Sequence, residues 1–325
     1  MRQEPSNHRL MRVRVATRRQ EATDIASFEL VAESGGPLPA FAAGAHIDVH
    51  VRDGLVRQYS LCNDPAETHR YLIAVLHEPA SRGGSKAMHA SVQAGDVLTI
   101  GEPRNHFPLA AGDRHLLLAG GIGVTPILCM AQRLATTGAA FEMHVCTRSA
   151  DRTAFRERIA QSSFAAQVRF HHDDGPASQK LDIPGRLARP QAGEHLYVCG
   201  PKGFMDAVLS AARASGWPET QLHYEFFAGQ TVQSGGDQPF ELELARTGRV
   251  VCVREDQTAL QALLDAGVEI ESSCEQGVCG TCATRVLAGV PDHKDLYFTQ
   301  EEQAANDQFT PCCSRARTAR LVLDL

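Results

Sequence analysis

The chain has 325 residues, 43% of them hydrophobic and 22% charged, with a formal net charge of −6. That is the composition of globular protein, long enough for two or three domains. No run of about 18 apolar residues offers a membrane span, and no basic stripe offers a nucleic-acid surface.

The N-terminus, MRQEPSNHRLMRVRV, is polar and lacks the apolar core of a secretion signal. The expected location is therefore the cytoplasm, where thiols stay reduced. Ten cysteines in such a chain point to metal binding or catalysis rather than to disulfides.

Residues 1–109 show short β-like runs: MRVRVAT, IASFELV, HIDVHV, RQYSL, YLIAVL and DVLTI. Gly, Pro and Asp punctuate them, which predicts an antiparallel β-barrel. Within RQYSLCND, Arg57 and Tyr59 are two apart on one strand and so share a face, a cation for a phosphate and a ring for stacking. Gln58 lies between them, and Ser60 adds a hydroxyl. Gly83, Gly84 and Ser85 in SRGGSKAMH open a helix and form a second candidate phosphate site. The plain alternative for each is a surface strand or a turn.

From residue 110 the texture changes. HLLLAGG reads as a buried strand running into glycine, followed by a helix over Ile127–Leu134 with Gly138 past its end. FEMHVCT, VRFHHDD and HLYVCG are further strands, with a helix over Phe204–Ala212. Strands alternating with helices predict a doubly wound α/β domain over 110–227. Gly120, Gly121 and Gly123 follow the first strand, with Pro126 just inside the helix, an arrangement that suits a dinucleotide pyrophosphate. It is not a GxGxxG fingerprint, and a structural strand–turn–helix explains it nearly as well. The strand ending at Cys199 runs into Gly200 and Pro201. Ligands in such sheets bind outside the carboxyl ends of the strands, which would put Cys199 near a nicotinamide ring.

Residues 228–238, AGQTVQSGGDQ, are small, polar and Gly-rich and read as a linker. Beyond them, FELELA and RVVCVRE form a hairpin around Thr247–Gly248. A helix over Ala259–Ala266, a strand CATRVLAG and a final RLVLDL complete a small α+β domain over 239–325. This end carries 14 acidic and 8 basic residues, a balance of −6; the first 238 residues balance to zero. The excess is either a solvated face or a docking face for a protein partner.

Cys274, Cys279 and Cys282 are followed by Cys312, the plant-type [2Fe–2S] ligand spacing. Gly277 and Gly280 give the loop its freedom to wrap. A four-thiolate zinc site is the alternative, but zinc usually takes two CxxC knuckles, and the adjacent pair Cys312–Cys313 cannot form the second. On an extended segment Cys313 would point away from Cys312, which favours Cys312 as the ligand. Cys129, Cys146 and Cys252 read as small core residues. The fourteen histidines contain no HExxH pairing, and His171–His172 is most simply a strand end.

The order RxYSxxN, GGxGxTP, CGP and Cx4Cx2C…C resembles the phthalate dioxygenase reductase family over essentially the whole chain. That family joins a flavin- and nicotinamide-binding reductase to a C-terminal plant-type ferredoxin. The resemblance implies FMN in the barrel, touched by Arg57, Tyr59 and Ser60, with Gly83, Gly84 and Ser85 near its phosphate. It implies Phe227 as the aromatic closing the flavin pocket, a β-grasp fold for the last domain, and NADH held by Gly121, Thr125, Arg148, Asp173, Cys199 and Pro201. Ser60, Cys199 and Phe227 would stand at the reacting centre. Cys313 departs from the pattern, standing where valine is commoner.

The expected function is an NADH-dependent reductase passing electrons through FMN and the cluster to a Rieske-type aromatic oxygenase. The chain has no Rieske pattern of its own. The alternatives are a reductase serving a free ferredoxin or cytochrome P450, and a redox-sensing module.

Overall fold

Six antiparallel strands form the first sheet: β1 (Leu10–Ala22), β2 (Ile25–Ala32), β3 (His46–Arg52), β4 (Leu55–Ser60), β5 (Tyr71–Leu76) and β6 (Val97–Gly101). The computed structural model describes residues 9–52, 55–79, 83–227, 237–272 and 275–325. The strand order is β4-β3-β6-β1-β2-β5. Alternation builds the core: Val13 and Val15 turn inward while Arg12 and Arg14 do not, and Phe28, Leu30, Ile47, Val49, Ile73 and Ile100 join them. Helix α1 (Gly84–Ser91) lies between β5 and β6 in the chain. Because β4 ends the sheet order, one row of its backbone N–H and C=O groups is outside the ladder.

The second sheet is wholly parallel: β7 (Arg114–Gly120), β8 (Ala140–Thr147), β9 (Val168–His172), β10 (Glu194–Cys199) and β11 (Leu222–Glu225), in the order β11-β10-β7-β8-β9. The apolar run of β7 is buried from His115 to Gly120, as a strand covered on both faces requires. Between the strands run α2 (Val124–Thr137), α3 (Arg156–Ala160), α4 (Ile183–Leu187) and α5 (Lys202–Ala214). Strand order reverses between β7 and β10, the switch point at which such sheets open a crevice.

Helix α2 begins earlier than its apolar pattern indicates. A 3-10 turn, Gly121–Gly123, leads into it, so Pro126 is its third residue rather than its first. Proline is tolerated there because the first four amides of a helix have no intrahelical acceptor.

The two sheets belong to one compact unit that ends at Glu225. Polar ties cross between them. The Tyr197 hydroxyl accepts from the Ala110 amide at 2.8 Å, Gln132 donates to the Cys62 carbonyl at 2.9 Å, and Thr23 donates to Asp151 at 2.7 Å.

The second unit holds β12 (Phe240–Leu244), β13 (Arg249–Val253), α6 (Ala259–Asp265), β14 (Thr284–Ala288), β15 (Pro291–Asp292), α7 (Gln300–Ala305), β16 (Gln308–Phe309), β17 (Arg315–Ala316) and β18 (Arg320–Leu323). Its main sheet runs β13-β12-β18-β14-β16, with β12 and β18 parallel, and β15 pairs with β17. Leu242, Val253, Leu263, Phe309, Leu321 and Leu323 form its core. Helix α7 escaped the sequence reading because it is short and has no buried residue; Thr299 and Glu302 start it with a reciprocal capping box.

Most of the expected linker, residues 228–236, lies outside the described residues. Its last two residues are fastened to the second unit. Asp237 accepts from Lys294 Nζ at 2.5 Å, and the Gln238 carbonyl accepts from Arg315 at 3.0 Å. Composition alone could not show this, since both partners lie more than fifty residues downstream.

Candidate functional site

The cysteine loop is a set of turns that glycines make feasible. Gly277 and Gly280 both have φ of +70°. A Cβ on Gly277 would stand 2.3 Å from Cys313 Sγ, and one on Gly280 would enter the Tyr297 ring. Cys279, Cys282 and Cys312 are all buried. The Cys312 thiol hydrogen-bonds with those of Cys282 and Cys313, and these bonds together with burial push it up. Cys313 also meets Thr310 Oγ1 at 3.2 Å and Ser314 Oγ at 3.8 Å. The segment Pro311–Cys313 is a turn, not the extended strand from which opposite directions were argued, so both thiols are buried. Cys274 lies outside the described residues, and among those described no three His, Cys, Asp or Glu side chains gather as on a single ion.

On β4, cross-strand partners sort the expected flavin residues onto two faces. Arg57 and Tyr59 stand opposite Val49 and Ile47, while Gln58 and Ser60 stand opposite Asp48 and His46. Tyr59 packs against the first sheet's core, and burial raises its hydroxyl's pKa. Gln58 Nε2 is buried with no partner among the described residues. At the start of α1, Gly83 has φ of +102° and is the N-cap. A Cβ on Gly84 would lie 2.6 Å from Arg57 Cγ, and one on Gly83 would lie 3.1 Å from Arg52 Nη2. Ser85 Oγ accepts from the Glu78 amide at 3.2 Å.

At the switch point the nicotinamide set divides into accessible and enclosed residues. Gly121 has φ of +54°, and a Cβ there would meet nothing within 4 Å. Gly120 is buried, and a Cβ on it would lie 2.8 Å from the Phe204 ring and 2.9 Å from Pro201. A Cβ on Gly200 would lie 2.8 Å from the Gly120 Cα, and one on Gly123 2.2 Å from the Cys199 carbonyl oxygen. These glycines let the turns after β7 and β10 pack on each other, a demand distinct from close approach of a ligand. Thr125 is buried, its hydroxyl donating to the Ile122 carbonyl at 3.0 Å and so bracing the turn. Arg148 and Asp173 are exposed at the carboxyl ends of β8 and β9, and Pro201 is exposed beyond β10.

Cys199 is fully buried at the end of β10, in register with Ala119 on one side and Glu225 on the other. Burial, and then the Glu225 charge, raise its thiol far above the ordinary range. Ser60 Oγ lies 3.5 Å from Glu225 Oε2, so the first sheet and the second meet at this carboxyl. Burial pushes Glu225 up to about 8, against the opposing Ser60 hydrogen bond. Sequence reasoning missed Glu225. Its only signal was its place at the end of a short strand, HYE, just before Phe226 and Phe227. Phe227 lies two residues further on and falls in the second unit.

Residues 242–317 match the family model of the 2Fe-2S iron-sulfur cluster binding domain. Residues 104–222 match that of the dimethylamine monooxygenase subunit DmmA-like, N-terminal domain. The chain is 53% identical over 317 residues to vanillate O-demethylase oxidoreductase of Pseudomonas sp. (strain HR199 / DSM 7063), covering 97% of this chain and 100% of that protein. It is 55% identical over 313 residues to the Pseudomonas putida protein of the same name, covering 96% and 98%. The solved structure of phthalate dioxygenase reductase, described as modular for electron transfer from pyridine nucleotides to [2Fe-2S], matches at TM-score 0.79 and 37% identity, over 97% of this chain and 98% of that one. The chain belongs to the phthalate dioxygenase reductase family. It is thus an oxidoreductase with a flavin-reductase fold and a [2Fe–2S] domain. Among the described residues no helix is long and apolar enough to cross a membrane.

The side chains fit the groups a phthalate dioxygenase reductase carries. Gly83 and Gly84 leave a cradle that a Cβ would fill, with two arginines beside it, and on the other face of β4 Gln58 has an unmatched buried donor. Such a cradle suits a phosphate and the edge of a flavin. Buried thiols at Cys279, Cys282 and Cys312, with Cys282 packed beside Cys312 and left-handed glycines in the loop, suit an iron–sulfur cluster.

Proposed function

We propose that the chain is the NADH-dependent reductase of a two-component system, located in the cytoplasm, and that it delivers electrons to a separate Rieske-type aromatic oxygenase. Residues 1–109 hold FMN, 110–227 hold NADH and 239–325 hold the cluster, with the segment 228–238 as the joint. The observation that supports this reading most is the meeting of Ser60 and Glu225, which brings the end of the flavin strand to the end of a strand neighbouring Cys199.

Arg57, Gln58, Tyr59 and Ser60 would hold the flavin along the outer edge of β4, and Gly83, Gly84 and Ser85 would take its phosphate. Phe227 would close the flavin pocket. Gly121, Gly200 and Pro201 would border the nicotinamide, and Arg148 and Asp173 its adenosine end. Gly120, Thr125 and Cys199 would shape that crevice from beneath. Cys274, Cys279, Cys282 and Cys312 would ligate the cluster. When bound, the flavin accepts two electrons as hydride and releases them singly, and the cluster passes on one at a time.

Two groups at this end of the crevice resist taking on negative charge. Burial raises the Glu225 carboxyl to about 8 and the Cys199 thiol well above its ordinary range, which favours the protonated form of each. Neither places a negative charge where hydride must arrive, and in a low-dielectric crevice such a charge would oppose transfer strongly. The Ser60 hydroxyl fixes the carboxyl's position.

Anaerobic stopped-flow with NADH, followed by mixing with a purified Rieske oxygenase, tests the reading. Flavin bleaching followed by cluster bleaching and then oxygenase reduction is expected. Failure to reduce any such oxygenase, with fast transfer to a ferredoxin or cytochrome P450, would overturn the partner.

A further inference from the structure

We propose that Arg52 is a second phosphate-holding residue of the flavin site, and that its guanidinium makes the cradle select the doubly charged monophosphate end of FMN. The proposal rests on the assignment of that cradle to the flavin. Arg52 is the last residue of β3 and pairs across the hairpin with Leu55, the first residue of β4. Its guanidinium stands over Gly83, where a Cβ would lie 3.1 Å from Nη2. The side-chain stem of Arg57, from the neighbouring strand, covers Gly84, where a Cβ would lie 2.6 Å from Cγ and 3.0 Å from Nε, while its Nη1 donates to the Val56 carbonyl at 2.7 Å. Two arginine side chains from adjoining strands thus close on two consecutive glycines at the start of α1.

The charges are suited to a dianion. The first turn of α1 contains no acidic residue. Arg52 is exposed and forms no ion pair with any described residue. A phosphomonoester carries about −1.5 to −2 at pH 7. One guanidinium neutralises roughly half of that, and two match it, with the helix amides adding their partial charge. Riboflavin, lacking the phosphate, would gain nothing from Arg52. The sequence motif that marks Arg57 does not include position 52, and only the hairpin's register brings the second arginine to the glycines.

The test uses the full-length holoprotein and its Arg52→Ala, Arg52→Lys and Arg57→Ala variants. Flavin release on serial dilution is read from recovered flavin fluorescence, giving Kd for FMN; exchange against riboflavin gives the preference between the two. For Arg52→Ala the FMN Kd should rise about tenfold, with riboflavin binding unchanged, as for a lost hydrogen bond to a charged group. Arg52→Lys should recover part of the loss. An unchanged FMN Kd in Arg52→Ala, beside a weakened one in Arg57→Ala, would overturn the proposal and leave the cradle's assignment standing. Equal weakening of FMN and riboflavin would also overturn it, marking a structural role. If neither alanine variant changed the preference, the phosphate assignment of the cradle would fall as well.

Discussion

The Ser60 hydroxyl, at the end of an antiparallel strand, lies 3.5 Å from the Glu225 carboxyl, at the end of a parallel strand 165 residues later. Burial at this meeting point lifts Glu225 to about 8, and the Ser60 hydrogen bond opposes the rise.

Glu225 should therefore mark the pH profile of flavin reduction by NADH. Above pH 8 it gains a negative charge in the crevice assigned to hydride transfer, so the rate should fall, and Glu225→Gln should flatten the profile. Stopped-flow reduction between pH 6 and 9 reads both; a flat wild-type profile would remove the residue from the rate. Stability follows its own sign. The folded carboxyl holds a proton that the unfolded chain releases above about 4.5, so its contribution is full below that pH and is lost as pH rises towards 8.

Acid should destabilise the second sheet by the opposite linkage. His144 is buried, with Nδ1 2.8 Å from His171 Nε2, and burial lowers its pKa to about 4. The unfolded chain takes up that proton near 6.5, so stability is full above that pH and declines as pH falls towards 4. Unfolding free energies from denaturant titrations at pH 7 and 5 should differ by on the order of 1–2 kcal/mol from this residue. His144→Asn should narrow the difference; an unchanged gap would mean that other groups control it.

Cys312→Ser should abolish the cluster, and Cys313→Ser should keep it. Cys312 faces Cys282, whereas Cys313 is turned to Thr310, Ser314 and the Gly277 backbone. Low-temperature EPR of the reduced variants distinguishes them. A normal signal from Cys312→Ser would give the fourth ligand to Cys313.

NADH should be preferred over NADPH. Asp173 and Asp174 follow β9, exposed, where a carboxylate accepts from a ribose hydroxyl and repels a 2′-phosphate. Arg148 at the end of β8 pulls the other way. The ratio of kcat/KM for the two nucleotides should fall about tenfold in Asp173→Ala, a loss of roughly 1.4 kcal/mol. An unaltered ratio would assign discrimination elsewhere.

Truncation after Gln238 should leave a flavoprotein that still oxidises NADH with ferricyanide but no longer reduces cytochrome c quickly or supports an oxygenase. In the intact chain, rising salt should slow coupled turnover more than the ferricyanide reaction, if the −6 balance of residues 239–325 guides docking. Coupled turnover insensitive to ionic strength would reduce the acidic surface to solvation. An oxygenase still driven by the truncated chain would refute the assigned electron path.

Cys279 and Cys282 belong to one short loop, and their spacing is a local property that the sequence states outright. So are the alternation of Val13 and Val15 on β1 and the unbroken apolar run of β7, since side-chain period and burial are written residue by residue. The placement of β7 beside β10 is not local. It comes from chain crossover and packing, and it changes what the glycines are for: Gly120 and Gly200 serve the contact between two turns, while Gly121 faces open space. The hydroxyl of Thr125 is spent within its own turn, and Cys313 lies on a turn rather than on an extended strand. Glu225 and Arg52 acquire meaning only when distant strands bring them to Ser60 and to Gly83. No window of the sequence contains both members of either pair, and only closure of the chain around its cores sets their separation.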